Sequence, residues 1–175
     1  MIHTGDVLNI RPLGMTFIFE RTAADTDGRS LEIVWELTPG AAGTPVHTHP
    51  IATESYTVLD GEMDVFVDGS WQTLRAGESL SVPPNVPHTF RNSSGGLTRI
   101  YNTHATALRR AEVFADVERM ASSRIQLMAD DMKTKDMLYN AVLATTYPDE
   151  IQLISPPRPI LRLAGGLGRL LGYRV

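Results

Sequence analysis

Residues 43–54 read GTPVHTHPIATE, and this stretch decides which fold and which chemistry the chain can support. His47 and His49 are two residues apart, so on a β-strand both side chains point to the same face. Glu54 follows after a short bend, where the next strand is expected to begin. Because neighbouring strands lie only about 4.8 Å apart, the carboxylate can meet both imidazoles at one ion. By spacing alone, the stretch fits part of a metal site and fits a pair of structural histidines equally well.

A fourth ligand can come from His88, which lies on a later predicted strand. It follows residues 83–87, PPNVP, whose prolines restrict the backbone and so fix the approach of the imidazole. The chain has no cysteine, which excludes disulfides, thiolate metal sites and cysteine nucleophiles. Three imidazoles and one carboxylate suit iron, manganese, nickel, copper, cobalt or zinc. We expect one divalent ion per chain and leave its identity open.

The remaining two histidines have no comparable surroundings. His3 lies near the first residue and is expected to be solvated. His104 ends the last predicted strand, where it either borders the pocket or fills a structural position. A single histidine on a strand is more often structural than a ligand, so neither residue is assigned to the site.

Short strands surround the histidine motif, with no helix between them. Asp-Gly pairs at residues 60–61 and 68–69 are typical of tight hairpin turns, which need positive φ. This succession of short strands and turns predicts a sandwich or a barrel. β-Branched and aromatic residues predict strands over residues 15–22, 31–37, 55–59, 63–67, 71–74, 79–82, 88–92 and 97–103.

The pattern changes near Ala107 to helical spacing. We expect residues 1–107 to form a β-barrel and residues 108–175 to form an α-helical extension that packs on the barrel or on a second subunit. The extension should contain helices over residues 108–121, 135–145 and 160–171. On the last helix, one face collects Ile160, Leu163, Ala164, Leu167, Leu170 and Leu171, which we expect to be covered by protein rather than by a membrane.

Taken together, the two histidine motifs resemble those of the cupin superfamily. The first cupin motif is matched by His47, His49, Glu54 and Gly61, and the second by Gly77, Pro83, His88 and Asn92. Asn85 stands where the family usually has glycine, a mild departure because asparagine tolerates left-handed backbone. The resemblance covers roughly residues 38–103. It implies a mainly β fold, the double-stranded β-helix or jelly-roll barrel, and it implies a metal held by His47, His49, Glu54 and His88.

Strand alternation extends the expected pocket beyond the ligands. If Glu54 points inward, then Tyr56 does too, either as a catalytic hydrogen-bond donor or as core filling. Asn92 lies on the same face as His88 and either supports a ligand or stabilises a turn. Trp35 is favoured over Glu36 as the inward residue of its strand. The expected lining is mostly apolar and consists of Tyr56, Val58, Met63, Val65 and Phe90.

The resemblance leaves three functions open. The first is a metal-dependent dioxygenase of the quercetinase-like kind, acting on a small aromatic or enol-like substrate. The second is a non-oxidative isomerase or lyase, in which the ion acts as a Lewis acid. The third is a binding or sensory module without turnover. No separate nucleophile or acid–base pair is evident, so the metal would have to supply most of the activation.

Composition narrows the expected partners and location. A net charge of −4 argues mildly against general nucleic-acid binding, which usually needs a basic stripe. No apolar run approaches the roughly 18 residues of a spanning helix, so no membrane partner is expected. The first residues lack a basic region followed by an apolar stretch, which predicts a cytoplasmic location. We expect a small-molecule ligand or substrate and a homodimer, since association commonly covers sheet edges.

Overall fold

The computed structural model of the chain describes residues 1–127 and 133–175, which contain two antiparallel sheets and three α-helices. One sheet has the strand order β1-β2-β3-β10-β5-β8 and the other has the order β11-β4-β9-β6-β7. This is the predicted mainly β jelly-roll barrel. Its strands are β1 Val7–Ile10, β2 Met15–Arg21, β3 Leu31–Leu37, β4 His47–Thr48, β5 Thr53–Asp60, β6 Glu62–Val67, β7 Ser70–Arg75, β8 Ser79–Val82, β9 His88–Arg91, β10 Thr98–Ala105 and β11 Gln152–Leu153.

Alternating burial along the strands puts the predicted side chains inside the barrel. On β5, Glu54, Tyr56 and Val58 are buried, while the residues between them are partly exposed. Met63 and Val65 are buried on β6 with the same period of two. The inward face that the sequence predicts is therefore confirmed.

The hairpin turns also form where the Asp-Gly pairs stand. Asp68 and Gly69 both have positive φ, 51° and 81°, as the tight turn between β6 and β7 requires. At Gly61, where φ is 77°, a Cβ would lie 2.7 Å from the carbonyl oxygen of Leu97. Only glycine fits there, because both the backbone conformation and the approaching chain exclude a side chain.

Two short strands were not predicted from the sequence. β1 extends the first sheet by pairing with β2. β11 lies between the last two helices and pairs with β4, which places Leu153 opposite His47. A two-residue strand carries too little alternation to be recognised locally. As a result, a segment far along the chain adjoins the histidine motif.

The helices are α1 Arg110–Ser122, α2 Thr134–Thr146 and α3 Arg158–Leu170. The first two contribute to the same hydrophobic core as the barrel, through Val113 and Met120 of α1 and Leu143 of α2. The ring of Phe114 on α1 lies 4.7 Å from that of Phe17 on β2. These helices therefore close one side of the barrel. In the described ranges, no helix is both long and apolar enough to cross a membrane.

Within the chain, α3 makes its contact through its glycine side and not through its apolar face. The helix lies against α2, and its buried residues are Leu161, Gly165 and Gly168. A Cβ at Gly165 would collide with the Thr145 side chain and lie 2.9 Å from the carbonyl oxygen of Ala141. Glycines let two helix backbones approach closely, so the face without side chains makes the contact. The large aliphatic residues are exposed in the single chain, so their burial against a second subunit stays a prediction: Ile160, Leu163, Leu167, Leu170 and Leu171.

Candidate metal centre

The four predicted ligands meet at one point inside the barrel. His47 lies on β4 with His49 just after it, Glu54 lies on β5, and His88 begins β9. His47 pairs directly with His88 across the second sheet. All four side chains are buried, and one potential ligand atom from each lies within 4.8 Å of the others. The structure thus assembles the set of residues that the sequence singled out.

Distances within the cluster fit a metal ion. Glu54 Oε2 lies 2.9 Å from His49 Nε2 and 2.9 Å from His88 Nε2. Adjacent ligand atoms bonded at about 2.1 Å to an octahedral ion lie about 3 Å apart. These two distances therefore match the separation of neighbouring ligand positions around one ion.

The second ring nitrogen of each histidine is held by a backbone carbonyl. Nδ1 lies 3.0 Å from the Pro45 oxygen in His47, 2.8 Å from the Val86 oxygen in His88, and 2.5 Å from the Glu150 oxygen in His49. An Nδ1–H that donates to a carbonyl leaves the lone pair of Nε2 free to coordinate. The backbone thereby orients all three imidazoles toward the same centre.

Burial and neighbouring groups shift the pKa values of the side chains in the cluster. It lowers the pKa of His47 well below its usual value, with a further contribution from His88. Burial and the nearby Arg110 lower the pKa of His49. Burial alone would raise the pKa of Glu54, but His104 and the close imidazoles of His49 and His88 outweigh it, and that pKa lies well below its usual value. These shifts favour neutral imidazoles at His47 and His49 and a charged carboxylate at Glu54, the protonation states that metal binding needs.

Two residues of β10 support Glu54 from behind. Asn102 donates from Nδ2 to Glu54 Oε1 at 2.9 Å. His104 pairs with Glu54 across the sheet, and its Nε2 lies 3.3 Å from the same oxygen. Their contacts leave Oε2 to face His49 and His88. The sequence carried a signal for both, because they are two residues apart, but the register between β10 and β5 was needed to place them.

His104 was not assigned to the site from the sequence, yet it lies next to it. The side chain is 1% exposed, and within the described residues neither ring nitrogen has a hydrogen-bond partner. Its ring lies 5.2 Å from that of His49. Burial lowers its pKa well below the usual value, despite the opposing effect of Glu54. His104 is thus a fourth histidine at the site, neutral and, apart from the contact of Nε2 with Glu54, without polar partners for its ring nitrogens among the described residues.

A cavity opens beside the cluster, between strands β1 to β3 and helices α1 and α2. The space between its wall atoms is about 750 Å³ when the part open to solvent is included, and the centres of water molecules can occupy about 70 Å³ of it. His47, His49, Glu54 and His104 form part of its wall. The rest of the wall is largely apolar and includes Ile10, Met15, Phe17, Trp35, Phe90, Val113, Phe114 and Leu143.

This location corrects the predicted pocket lining. Of the expected residues, Phe90 lines the cavity, and so does Trp35, the residue favoured as inward-facing on β3. Tyr56, Val58, Met63 and Val65 point inward as predicted, but they are at most 1% exposed and fill the barrel interior themselves. The opening lies where the helices meet the barrel, a contact that strand alternation does not reveal.

Tyr56, the candidate catalytic residue, is part of that filled interior. Its ring packs edge-on against Trp35 at 5.9 Å and does not line the cavity. Burial, and then the charge of Glu54, raise the pKa of its hydroxyl well above the usual value. Tyr56 therefore keeps its proton, and a catalytic role for it stays a prediction.

The two asparagines of the second motif have structural roles. Asn85 adopts a φ of 64°, the left-handed conformation expected at a glycine position, and its N–H donates to the His49 carbonyl at 2.8 Å. Asn92 donates to the carbonyls of Leu37 and Gly96 at 2.9 and 2.8 Å. Of the two roles considered for Asn92, the structure supports turn stabilisation.

A buried ion pair from the helical region also reaches the site. Arg110, at the start of α1, lines the cavity, and its Nε lies 3.6 Å from Glu150 Oε2. Its Nη2 donates to the Glu150 carbonyl at 2.5 Å, the same oxygen that meets His49 Nδ1. Arg110 thereby fixes the backbone group that orients a metal-ligand candidate. No local motif marked it, since its partner is 40 residues away.

Comparison with known proteins agrees with this architecture. Residues 33–104 match the family described as Cupin domain. The HTH-type transcriptional regulator PuuR of Escherichia coli (strain K12) is 32% identical over 76 residues, which are 43% of this chain and 41% of that protein. Quercetin 2,3-dioxygenase of Bacillus subtilis (strain 168) is 32% identical over 87 residues, 46% of this chain and 26% of that protein. The chain thus spans less than half the length of these curated relatives.

Solved structures resemble the barrel as well. An RmlC-like cupin from Shewanella frigidimarina NCIMB 400 superposes with a TM-score of 0.51 and 26% identity, covering 61% of this chain and 88% of that one. The family match at residues 33–104 includes both histidine motifs. Residues 33–104 of this chain therefore form a cupin domain.

Proposed function

We propose that this protein is a metal-dependent dioxygenase that binds one divalent ion through His47, His49, Glu54 and His88 and acts on a small aromatic or enol-like substrate. One observation carries the proposal: three of these four side chains also form the wall of the apolar cavity. An ion held by them would border the space in which a substrate binds.

The electrostatics of the cluster support a bound cation. Glu54 is 2% exposed and its pKa is lowered, so its carboxylate is charged. A buried charge costs several kcal/mol unless it is paired. When the three facing imidazoles are neutral, they cannot balance the charge of Glu54, but they can act as ligands of a metal ion. A divalent ion would compensate this charge and engage the imidazole lone pairs together.

The character of the cavity wall supports an aromatic or enol-like substrate. Phe17, Trp35, Phe90 and Phe114 surround it with rings that can pack against a planar molecule. Their apolar surface excludes water from the region beside the ligands. A bound redox metal would supply the activation of dioxygen or of the substrate oxygen.

His104 is the residue suited to handling a substrate proton. It lies on the cavity wall beside Glu54, and among the described residues its ring nitrogens have no hydrogen-bond partner. A neutral imidazole can accept the proton of an enol or phenol hydroxyl. Tyr56 cannot reach the cavity from its position in the core, so His104 is the better candidate for this role.

A second candidate function is ligand sensing without turnover. The similarity to the regulator PuuR over 76 residues favours it, because that relative is a transcriptional regulator. In this version the same cavity binds a small molecule, and the ion positions it. An isomerase or lyase would use the same site with the ion as a Lewis acid.

The test combines elemental analysis with oxygen consumption. Protein purified without a histidine tag is analysed for metal, then stripped and reloaded separately with iron, manganese, nickel, copper, cobalt or zinc. Each form is tested with flavonols, catechols and enols in an oxygen electrode. We expect one ion per chain and oxygen uptake matched to substrate loss in wild type, and neither in His47→Ala/His49→Ala.

Each other result points to a different function. Ligand-induced thermal stabilisation without oxygen uptake or product would support a sensor. A product isomeric with the substrate, formed under nitrogen, would support an isomerase. Equal metal content in wild type and the double variant would overturn the proposed metal site itself.

A further inference from the structure

The outer side of α3 is not explained by the cupin site. Five large aliphatic residues form one side of this helix, which we call the apolar face of α3: Ile160, Leu163, Leu167, Leu170 and Leu171. They are 55, 76, 49, 83 and 58% exposed. Contiguous exposed apolar surface of this kind usually marks a binding site.

The packing of α3 on α2 prevents this face from turning inward. A Cβ at Gly168 would lie 2.7 Å from Val142 Cγ2, so the glycine side of the helix fits α2 closely. Arg169 Nη2 also donates to Thr145 Oγ1 on α2 at 2.9 Å. The orientation of the helix is therefore set, and its apolar face points away from α2.

The charge of the segment is one-sided. Residues 151–175 contain four arginines and no aspartate or glutamate, within a chain whose net charge is −4. At 100° per residue, Arg158, Arg162 and Arg169 lie on the side of α3 opposite Leu163 and Leu167. A basic side opposite an apolar side is typical of helices that lie in the interface of a membrane.

We propose that α3 binds the surface of an anionic lipid bilayer, with its apolar face at the boundary of headgroups and acyl chains. The arginines then attract the negatively charged leaflet, and their long side chains can reach its phosphates. The helix has 13 residues, which suits lying in the interface and is too short for spanning. The sequence alone had favoured a protein partner for this helix.

A second copy of the chain fits this surface less well. Two-fold pairing through the apolar face would bring together two segments that each carry four arginines and no acidic residue. Stable protein interfaces also bury about 800 Å² on each partner, more than one face of a short helix provides. An anionic bilayer supplies both the apolar contact and the opposite charge.

Vesicle co-sedimentation tests the proposal directly. The full chain is mixed with vesicles of phosphatidylcholine and phosphatidylglycerol at 3:1, or of phosphatidylcholine alone. We expect wild type to bind the anionic vesicles and to dissociate as salt is raised. Leu163→Asp/Leu170→Asp should bind at least tenfold more weakly, and Arg158→Gln/Arg162→Gln should lose roughly fivefold per arginine.

A matched control separates this face from general surface hydrophobicity. Leu59 and Leu97 are 46 and 48% exposed in the barrel. Leu59→Asp/Leu97→Asp should therefore bind vesicles like wild type. Circular dichroism and metal content measure the fold of every variant independently of lipid.

Two results would overturn the proposal. One is the absence of wild-type binding to anionic vesicles at low salt. The other is a dimer in light scattering that dissociates in Leu163→Asp/Leu170→Asp, without any difference in vesicle binding between that variant and wild type. The second result would assign the face to a second copy of the chain.

Discussion

The barrel interior and the apolar face of α3 depart from ordinary burial in opposite directions. In the barrel, the charged Glu54 and the imidazole of His88 are at most 2% exposed. On α3, Leu163 and Leu170 are 76 and 83% exposed, while Gly165 is buried. A polar cluster lies where apolar residues usually pack, and aliphatic residues lie where polar ones usually stand.

The comparison shows that such a departure has a different cause in each region. In the barrel, a strand period of two carries the ligands to one point, and backbone carbonyls orient them. On α3, the closest possible helix contact uses glycines, which leaves the larger residues outside. For each region we propose a binding partner outside the chain: an ion for the barrel and an anionic bilayer for α3.

The largest expected effect is the loss of metal from the barrel. His47→Ala/His49→Ala should weaken binding of a divalent ion by more than about a hundredfold, because it removes two proposed ligands rather than their supports. Calorimetric titration of stripped protein measures this change. His3→Ala is the control, since His3 is exposed, and it should bind as wild type does.

Acid should destabilise the metal-free barrel next most strongly. The pKa values of His47, His49 and His104 are lowered in the folded state. Below about pH 6.5 these side chains are therefore protonated in the unfolded state but stay neutral in the folded state. As the pH falls, each buried imidazole lowers the free energy of unfolding by up to about 1.4 kcal/mol per pH unit. Urea unfolding in chelator between pH 7.5 and 5.5 measures it. A free energy of unfolding that stays constant or rises as the pH is lowered would contradict neutral imidazoles at these three positions.

Removal of the support behind Glu54 should have a smaller effect than removal of a ligand. Asn102→Ala deletes the amide that donates to Glu54 Oε1 at 2.9 Å. We expect metal affinity to fall about 10- to 100-fold, as for other groups that orient ligands. Competition with a chelator measures the change. Asn9→Ala, on the exposed side of β1, should leave affinity unaltered.

Alanine substitutions at two neighbouring glycines test the packing of α3, because they are expected to change the free energy of unfolding in opposite directions. Gly165→Ala places a Cβ against Thr145 and 2.9 Å from the Ala141 oxygen, and should lower the free energy of unfolding by about 1–2 kcal/mol. Gly166 has open space around it, so Gly166→Ala should raise that free energy by up to about 1 kcal/mol. Chemical unfolding of both variants gives the values. Equal effects would mean that α3 does not pack through its glycine side.

The smallest effect is expected on the exposed side of the same helix. Leu163→Asp/Leu170→Asp should change the free energy of unfolding by no more than about 0.5 kcal/mol per residue, because both side chains lie in solvent. Urea unfolding without lipid measures it. A loss of several kcal/mol would show that a protein surface covers this face.

Much of the barrel could be predicted because its signals are local. The pairs at residues 60–61 and 68–69 mark turns, and alternation marks which side of each strand is inside. What could not be predicted depends on register and on distant segments. The position of His104 beside Glu54 depends on the pairing of β10 with β5, and the role of Arg110 depends on its contact with the distant Glu150.

By itself, the sequence determined most of the strands and the tight turns, since side-chain spacing along a strand fixes the face on which each residue lies. Its resemblance to the two cupin motifs singled out His47, His49, Glu54 and His88. The tertiary structure alone decided where the cavity opens and which side of α3 is covered. Periodicity shows that a helix has two unlike sides, but the contact is chosen by how closely two surfaces can approach. For α3 the glycine side approaches α2 most closely, and the leucines remain outside.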